Sequence, residues 1–421
     1  IIGLDGVPCE MIMELAASGA MPNTQRIIND GSVNRVRSTI PDISSIAWSS
    51  IITGCDAGCH GIFGFTDIAA GTYQMRYPNF RDLKAPTFWE TCGGQSVIIN
   101  VPSTYPVKPM NGAHISGFVS VEMAKAVYPP TLAGKLQELD YRLDVDSQKA
   151  HSDMGLFLDD VEATLKSNVA AYRYLWDCID WRNFMLVFTT TDRLLHFLWG
   201  AWEDRQHNCH NAFVGHFRAI DRVIGEIAGR LRENDELLLL SDHGFQRLEK
   251  DVYVNRLLID EGILAFEAGK DMMPANIAAS TRAFALDPGR IYIHLEGKYP
   301  RGSVKPKDRR QAIDGVAGLF RSLETDGRKV IREMHRREDI YTGDSAADGP
   351  DLVLMANPGF NLKGALAAHG LFAKGIFTGM HAYDNACLIS RNKQTALQLG
   401  SSPSVIDVGR LINNIAGNTR S

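Results

Sequence analysis

The stretch Phe184-Met185-Leu186-Val187-Phe188-Thr189-Thr190-Thr191-Asp192-Arg193-Leu194-Leu195-His196 runs from an unbroken apolar segment into a polar, helix-like one. A short apolar run followed by β-branched threonines has the length and texture of a strand buried on both faces. That is the habit of a parallel sheet covered by helices. Asp192 then stands where a helix would begin. Asp192 and His196 are four residues apart, so on a helix both side chains leave the same face and can reach one ion. Imidazole with carboxylate suits Zn²⁺, Mn²⁺ or iron better than Ca²⁺. Taken alone, the same spacing is equally an aspartate cap with a histidine one turn later.

The pattern recurs outward in both directions. Asp5 follows Ile1-Ile2-Gly3-Leu4, and Asp242-His243 follows Leu237-Leu238-Leu239-Leu240-Ser241. His381 lies five residues before the strand-like run Ala386 to Ser390. Further strand-like runs stand at Ser96 to Asn100, Phe184 to Thr189 and Glu236 to Leu240. Helical periodicity covers Glu10 to Asn29, Leu156 to Cys178 and Phe213 to Arg232. Alternating β and α segments predict an α/β fold with a mostly parallel sheet between helices. In such sheets ligands bind at the carboxyl ends of the strands. Asp5, Asp192, His196, Asp242, His243 and His381 all fall near that edge, which predicts a two-metal site.

At 421 residues the chain holds two or three folding units, or one large α/β domain with insertions. Because the candidate ligands run from Asp5 to His381, the reading is one catalytic domain over residues 1–421. Two stretches differ in texture and are expected to be insertions. Residues 67–153, rich in Pro, Gly and Tyr, are read as a substrate cap. Residues 248–373 are read as a second, α+β insertion. It carries strand pairs at Arg282 to Leu286 with Arg290 to Leu295, and at Lys329 to His335 with Asp351 to Met355, and a helix from Asp308 to Glu324.

A net charge of −5, from 44 basic and 49 acidic residues, gives no footprint for a nucleic-acid duplex or an anionic membrane. No apolar run reaches the ~18–20 residues of a membrane span. Seven cysteines are too sparse for a disulfide scaffold, so a reducing, cytoplasmic compartment is expected. Ile1 to Gly6 already reads as a strand in progress, so a removed signal peptide, and with it a periplasmic or secreted location, stays open. The oligomeric state is not legible.

The segment Pro41-Asp42-Ile43-Ser44-Ser45-Ile46-Ala47-Trp48-Ser49-Ser50-Ile51-Ile52-Thr53-Gly54 holds the candidate nucleophile. A serine at a helix start lies at the positive end of the macrodipole, where backbone N–H groups can also hold a phosphoryl oxygen. Ser44 and Ser45 both qualify, and either is equally an N-cap. Other polar clusters read as ordinary structure. His207, Cys209, His210 and His216 match no zinc spacing and suit a solvated helix start. Cys55 and Cys59 flank a turn. His369 sits in an Ala/Gly-rich loop without a following strand, so His381 is preferred as ligand. Asn100, Tyr105 and His114 either face the substrate or pack a loop. Lys305 to Arg310 reads as an exposed helix start.

Together these residues resemble the alkaline phosphatase superfamily, in its type I phosphodiesterase/nucleotide pyrophosphatase-like branch of phosphohydrolases and phosphomutases. The resemblance is carried by Gly3-Leu4-Asp5-Gly6, Pro41 to Gly54 with Cys59-His60-Gly61-Ile62, Thr191-Asp192 to His196, Ser241-Asp242-His243-Gly244-Phe245 and Thr378-Gly379-Met380-His381. These motifs appear in the family's order and span residues 3–381. The resemblance implies a three-layer alkaline-phosphatase-like core with inserted caps. It also implies two divalent ions, Zn²⁺ in the first place and Mn²⁺ as the alternative. Asp192, His196 and His381 would hold one ion. Asp5, Asp242 and His243 would hold the other, with Ser44 as a further ligand. The family's nucleophile falls nine residues before the threonine of its Thr-Gly turn, which counts back from Thr53 to Ser44.

Several departures bear on the substrate. Diesterase relatives commonly carry threonine at the nucleophile, whereas serine is more usual among monoesterases and mutases. Nucleotide pyrophosphatases place an asparagine where Phe65 stands. Met380 replaces the threonine of the usual Gly-Thr-His. The Cys/Ser-x-Pro-x-Arg motif of sulfatases is missing around Ser44. The implied activity is metal-dependent hydrolysis of a small organic phosphate ester, nucleotide or phosphonate ester through a phosphoserine. The alternatives are a phosphomonoesterase or phosphomutase with the same site, and a non-catalytic sensor of a phosphorylated ligand.

Overall fold

The computed structural model describes residues 1–417. They fall into two compact units. The first comprises Ile1–Cys55, Asn79–Arg247 and the chain from Ile376 onward; the second comprises Asp56–Pro78 and Leu248–Gly375.

The first unit is built on an eight-stranded sheet. In chain order its early strands are β1 (Ile2–Leu4), β2 (Ser32–Val36), β3 (Gln95–Val101), β4 (Gly112–Ser116), β5 (Val127–Tyr128), β6 (Trp181–Phe188) and β7 (Leu238–Leu240). Two short strands, β8 (Gly244–Arg247) and β9 (Gly379–Ala382), form a separate antiparallel ribbon, and β10 (Ala386–Ser390) completes the sheet. The sheet order is β2-β10-β7-β1-β6-β3-β4-β5. The central run β7-β1-β6-β3-β4 is parallel; β10, β2 and β5 pair antiparallel at the edges. The fold is therefore α/β with a mostly parallel sheet.

Register explains why the polar residues gather. Leu4 pairs with Phe188 and Gly3 with Leu240, so the chain leaves β1, β6 and β7 at one level. Asp5, Thr189 to Asp192 and Ser241 to His243 follow at that common edge. Thr191 links two exits, its hydroxyl donating to Asp5 O at 2.7 Å and Phe188 O at 2.8 Å. Ile2, Leu4, Leu186, Phe188 and Leu239 are each no more than 2% exposed, as strands covered on both faces must be.

The stretch expected to be one helix from Glu10 to Asn29 is two, α1 (Cys9–Ala17) and α2 (Pro22–Asp30); the second begins at a proline, which suits a first helical position. Next come α3 (Ser44–Thr53), α4 (Met154–Cys178), α5 (Thr190–Glu203), α6 (His210–Arg230) and α7 (Val405–Gly417). Residues 44–52 of α3 are all buried, so this helix is enclosed on every side. It stops at Gly54, whose φ of 75° places it in the left-handed region that ends helices. A Cβ there would meet Asn413 Nδ2 of α7 at 2.8 Å.

The chain divides elsewhere than at 67–153. Within that span β3, β4 and β5 belong to the main sheet, and the whole of Asn79–Arg247 lies in the first unit. Frequent prolines and glycines there mark the loops between strands, and their density hid the strands themselves. The second unit has its own core, including Phe284, Ile291, Ile293, Phe320 and Leu354. Its four-stranded antiparallel sheet runs Ala283–Leu286, Arg290–Ile293, Leu352–Ala356, Ile331–Arg336, with a helix at Arg309–Ser322. Among the described residues no helix is long and apolar enough to cross a membrane.

Candidate metal centre

All seven candidate residues lie in the first unit. Asp5 leaves β1, Asp192 and His196 sit on the first turns of α5, and Asp242-His243 follow β7. Ribbon pairing puts Phe245 opposite His381, so a strand from late in the chain brings His381 to the same edge. The His243 and His381 rings stack with centroids 3.6 Å apart.

One rule governs the three histidines. His196, His243 and His381 turn Nδ1 to the carbonyls of Gly379 (3.2 Å), Gly244 (3.0 Å) and Asp42 (2.9 Å). A carbonyl oxygen only accepts, so Nδ1 carries the hydrogen and a neutral ring keeps its lone pair on Nε2. The Nε2 atoms converge. Those of His196 and His381 are 3.2 Å apart, and they stand 3.5 and 3.3 Å from Asp192 Oδ1. His243 Nε2 lies 2.9 Å from Ser44 Oγ, 3.3 Å from Asp242 Oδ2 and 3.8 Å from Asp5 Oδ1.

A second rule governs the three carboxylates. In each, one oxygen accepts a hydrogen bond and the other is buried without a donor. Asp5 Oδ2 accepts from Trp48 Nε1 (3.2 Å), Asp242 Oδ1 from the Gly6 N–H (3.1 Å), and Asp192 Oδ2 from Arg193 (3.1 Å). Asp5 Oδ1, Asp242 Oδ2 and Asp192 Oδ1 have no hydrogen-bond partner. Gly6 is needed for its contact: its φ is 72°, and a Cβ would meet the Phe245 ring at 2.7 Å and the His243 ring at 3.1 Å.

Buried lone pairs facing buried lone pairs are costly unless a cation sits among them. Protonation equilibria carry the same imbalance. Burial, reinforced by the charges of Asp242 and Asp192, pushes the Asp5 carboxyl well above its usual range. Burial likewise raises Asp242 to about 7. Burial also raises Asp192, but His196, His381 and Arg193 outweigh it and hold this carboxyl low. Burial lowers His196 to about 4 and pushes His243 well down. Burial lowers His381 too, yet Asp192 beside its Nε2 more than offsets this and raises it.

Among the described residues, two groups have ligand atoms within 4.8 Å of one another: Asp192, His196 and His381; and Asp5, Asp192 and His243. Asp192 stands in the second group where Asp242 was expected, while Asp242 approaches through His243. The residues thus fit divalent ions by donor type and by their bare, buried oxygens and nitrogens. Ser44 is the first helical residue of α3, with Ile43 in the cap position. Its hydroxyl points to His243, whereas the Ser45 hydroxyl is buried and unpartnered.

Three contributors escaped sequence reasoning: Trp48, Arg193 and Asp144. Arg193 lies inside the D-x-x-x-H motif, but adjacency on a helix does not bring its side chain to Asp192. Other polar candidates lie in ordinary surroundings. His210 Nδ1 bonds Ala201 O (2.8 Å), the Cys209 N–H donates to His207 Nδ1 (3.1 Å), and His216 is buried against Thr190 Oγ1 (3.0 Å). Cys55 and Cys59 are not joined in a disulfide, the Cys55 thiol donates to Thr53 Oγ1 at 3.5 Å, and His369 is exposed. Asn100 accepts from the Tyr141 hydroxyl, and His114 packs between Phe80 and Trp89. The Tyr105 carbonyl accepts the Phe80 N–H (2.9 Å). Lys305 to Arg310 leads into the helix Arg309–Ser322, with Arg309 paired to Asp351 at 2.6 Å.

The sequence profile described as type I phosphodiesterase / nucleotide pyrophosphatase matches residues 1–384. No curated protein matches in sequence. Among solved structures, phosphonoacetate hydrolase from Sinorhizobium meliloti 1021, in complex with phosphonoformate, is similar at 15% identity and a TM-score of 0.64. The match covers 99% of this chain and 95% of that one. Murine ectonucleotide pyrophosphatase / phosphodiesterase 5 is similar at 13% identity and a TM-score of 0.54, covering 99% and 94%. The human counterpart is similar at 12% and 0.56, covering 99% and 93%. At these identities the structural likeness speaks for the fold.

Proposed function

The chain belongs to the type I phosphodiesterase / nucleotide pyrophosphatase family, a family of phosphoester hydrolases, and from that premise we propose that it hydrolyses a small phosphate or phosphonate ester through Ser44 at a centre for two divalent ions. One observation carries the reading. Three Nε2 lone pairs and three bare carboxylate oxygens converge beside a serine hydroxyl at a helix start.

Asp192, His196 and His381 would hold one ion, and Asp5, Asp242 and His243 with Ser44 the other; Zn²⁺ suits this set first and Mn²⁺ second. When bound, such ions supply Lewis acidity: they neutralise phosphoryl oxygens, lower the pKa of a nucleophilic hydroxyl and stabilise a leaving oxygen. The chain's own groups do the rest. Trp48, the Gly6 N–H and Arg193 each hold one carboxylate oxygen, which aims its bare partner inward. His243 Nε2 offers a single lone pair, which accepts the Ser44 proton or faces an ion. The start of α3 places N–H groups and the positive end of its dipole beside the phosphoryl group. Ser44 Oγ then attacks phosphorus as the bond to the leaving oxygen breaks. Water cleaves the resulting Ser–O–P bond, restoring the hydroxyl and releasing phosphate from a monoester, the phosphate monoester from a diester, or the phosphonate from a phosphonate ester.

Serine at position 44 favours a monoester or mutase reaction as a second reading, with the same residues. Metal-reconstituted protein, assayed on p-nitrophenyl phosphate, p-nitrophenyl phenylphosphonate and bis-p-nitrophenyl phosphate, tests both. Turnover should require added metal, and acid quenching should trap phosphate on the peptide bearing Ser44. Two ions bound with no turnover of any of the three esters would sink the hydrolytic reading.

A further inference from the structure

We propose that Arg193 is a positioning residue that fixes Asp192 as a one-oxygen ligand, with Asp144 and Phe118 holding its guanidinium in place. The proposal rests on the two-ion reading above and adds a part to it.

The three carboxylates are oriented by different means. Asp5 and Asp242 are held by neutral donors, an indole N–H and a backbone N–H. Only Asp192 is held by a charged group. Arg193 Nη1 donates to Asp192 Oδ2 at 3.1 Å, and the opposite edge of the guanidinium donates to Asp144, Nη2 to Oδ2 at 2.8 Å and Nε to Oδ1 at 3.4 Å. Its Cζ lies over the Phe118 ring, 4.0 Å from the ring centre. This is a two-pronged pair with the cation over an aromatic ring, and the fork is the part for which arginine is suited and lysine is not.

The contact does not come free with the sequence. Successive helical residues point in different directions, so Arg193 would ordinarily turn away from Asp192. Asp144 and Phe118, from outside α5, bring it back. Exposure gives the reason for a charged donor. In the deeper half of the site, the side chains of Asp5, Asp242 and His243 are 4%, 0% and 0% exposed. In the other half His196 and His381 are 20% and 21% exposed. The Asp192 side chain is 8% exposed, the most of the three carboxylates, so its Oδ2 is the oxygen for which water would compete. A fixed guanidinium wins that competition where a neutral donor would be displaced. Asp192 Oδ1 is thereby kept free of donors and directed at His196 and His381.

The test is calorimetric titration of the metal-free chain with Zn²⁺ alone. Wild type should take up two ions. Arg193→Gln should weaken the ion of the Asp192, His196 and His381 group by roughly 10–100-fold, the usual effect of losing a group that orients a ligand, and the other ion, whose group Asp192 also borders, by less. Asp144→Asn should act in the same direction but less. The double variant should be no worse than Arg193→Gln, because Asp144 acts through the guanidinium. Arg193→Lys should recover only part, since one ammonium cannot span both carboxylates. Should Arg193→Gln fail to fold, the more exposed Asp144→Asn carries the test alone. Two ions at wild-type affinity in these variants, with only the melting temperature lowered, would overturn the assignment. A wild-type chain that binds fewer than two ions would instead bring down the two-ion reading, and this proposal with it.

Discussion

His243 and His114 are both buried, at 0% and 1% exposure, and both sit at or beside strands of the main sheet. His114, on β4, packs against the rings of Phe80 and Trp89 at 5.7 Å each, and neither ring nitrogen has a partner. His243 has Nδ1 committed to a carbonyl and Nε2 aimed at Ser44, Asp242 and Asp5. Burial suppresses the charge of both, lowering His114 to about 3 and His243 well below its ordinary value. A depressed pKa therefore does not mark the site. What marks it is the company of carboxylate oxygens that lack donors among the described residues, and these adjoin His243.

The sharpest way to break this contrast is at Ser44. Ser44→Ala should lower turnover by at least about 10³-fold, as expected when a nucleophile is lost, while the metal-free chain still takes up two ions. Near wild-type hydrolysis by this variant, measured under saturating metal, would remove Ser44 from the chemistry. His381→Ala comes next. It removes one of three ligands from the more exposed group and should weaken one ion by more than about 100-fold, beyond the effect of an outer group. Equilibrium dialysis reads that loss directly. Undiminished binding would mean that the convergence of His196 and His381 has another purpose.

Much of the sheet was readable because its strands are apolar runs closed by polar residues. Ala386–Ser390 falls where expected, and the helix expected over Leu156 to Cys178 is Met154–Cys178. The candidate ligands could be named for the same reason, since each follows such a run or starts a helix. Their grouping could not. Asp192 lies near both other ligand sets, and that depends on distances no spacing encodes. The ribbon of Gly244–Arg247 with Gly379–Ala382 also escaped notice. Two four-residue strands that each begin with glycine carry no periodic signal, yet their pairing is what sets His381 beside His243. Arg193 was passed over because its role is set by Asp144 and Phe118, which lie far from it in sequence.

Asp242→Asn should separate binding from stability. Burial raises the folded Asp242 to about 7 against an ordinary value of 3.8. The folded chain thus holds this proton more tightly than the unfolded one. Stability falls as pH rises from 3.8 to 7, and the full cost is present above 7. At pH 8 without metal, the asparagine variant should melt higher than wild type by roughly 1–2 °C for each kcal/mol relieved, the shift that suits a chain of 421 residues. It should also lose most of the upward shift that Zn²⁺ gives wild type. A lower melting temperature in the metal-free variant would mean that Asp242 is not an unpaired buried charge.

The smallest effect belongs to the other side of the comparison. His114 has a folded pKa of about 3 against 6.5, so the unfolded chain takes the proton first. Its contribution is fully present above pH 6.5 and is lost as pH falls from 6.5 toward 3, at about 1.4 kcal/mol per pH unit. His114→Phe removes a proton site while keeping a ring against Phe80 and Trp89. Denaturant unfolding across that window should show a shallower acid limb than wild type by that slope, with Zn²⁺ uptake unchanged. His216 and His196, both lowered to about 4 by burial, still titrate in the variant, so the limb flattens without vanishing. An unchanged slope would show that His114 takes up its proton without unfolding. A loss of Zn²⁺ binding would show that the line drawn here between a core histidine and a site histidine is in the wrong place.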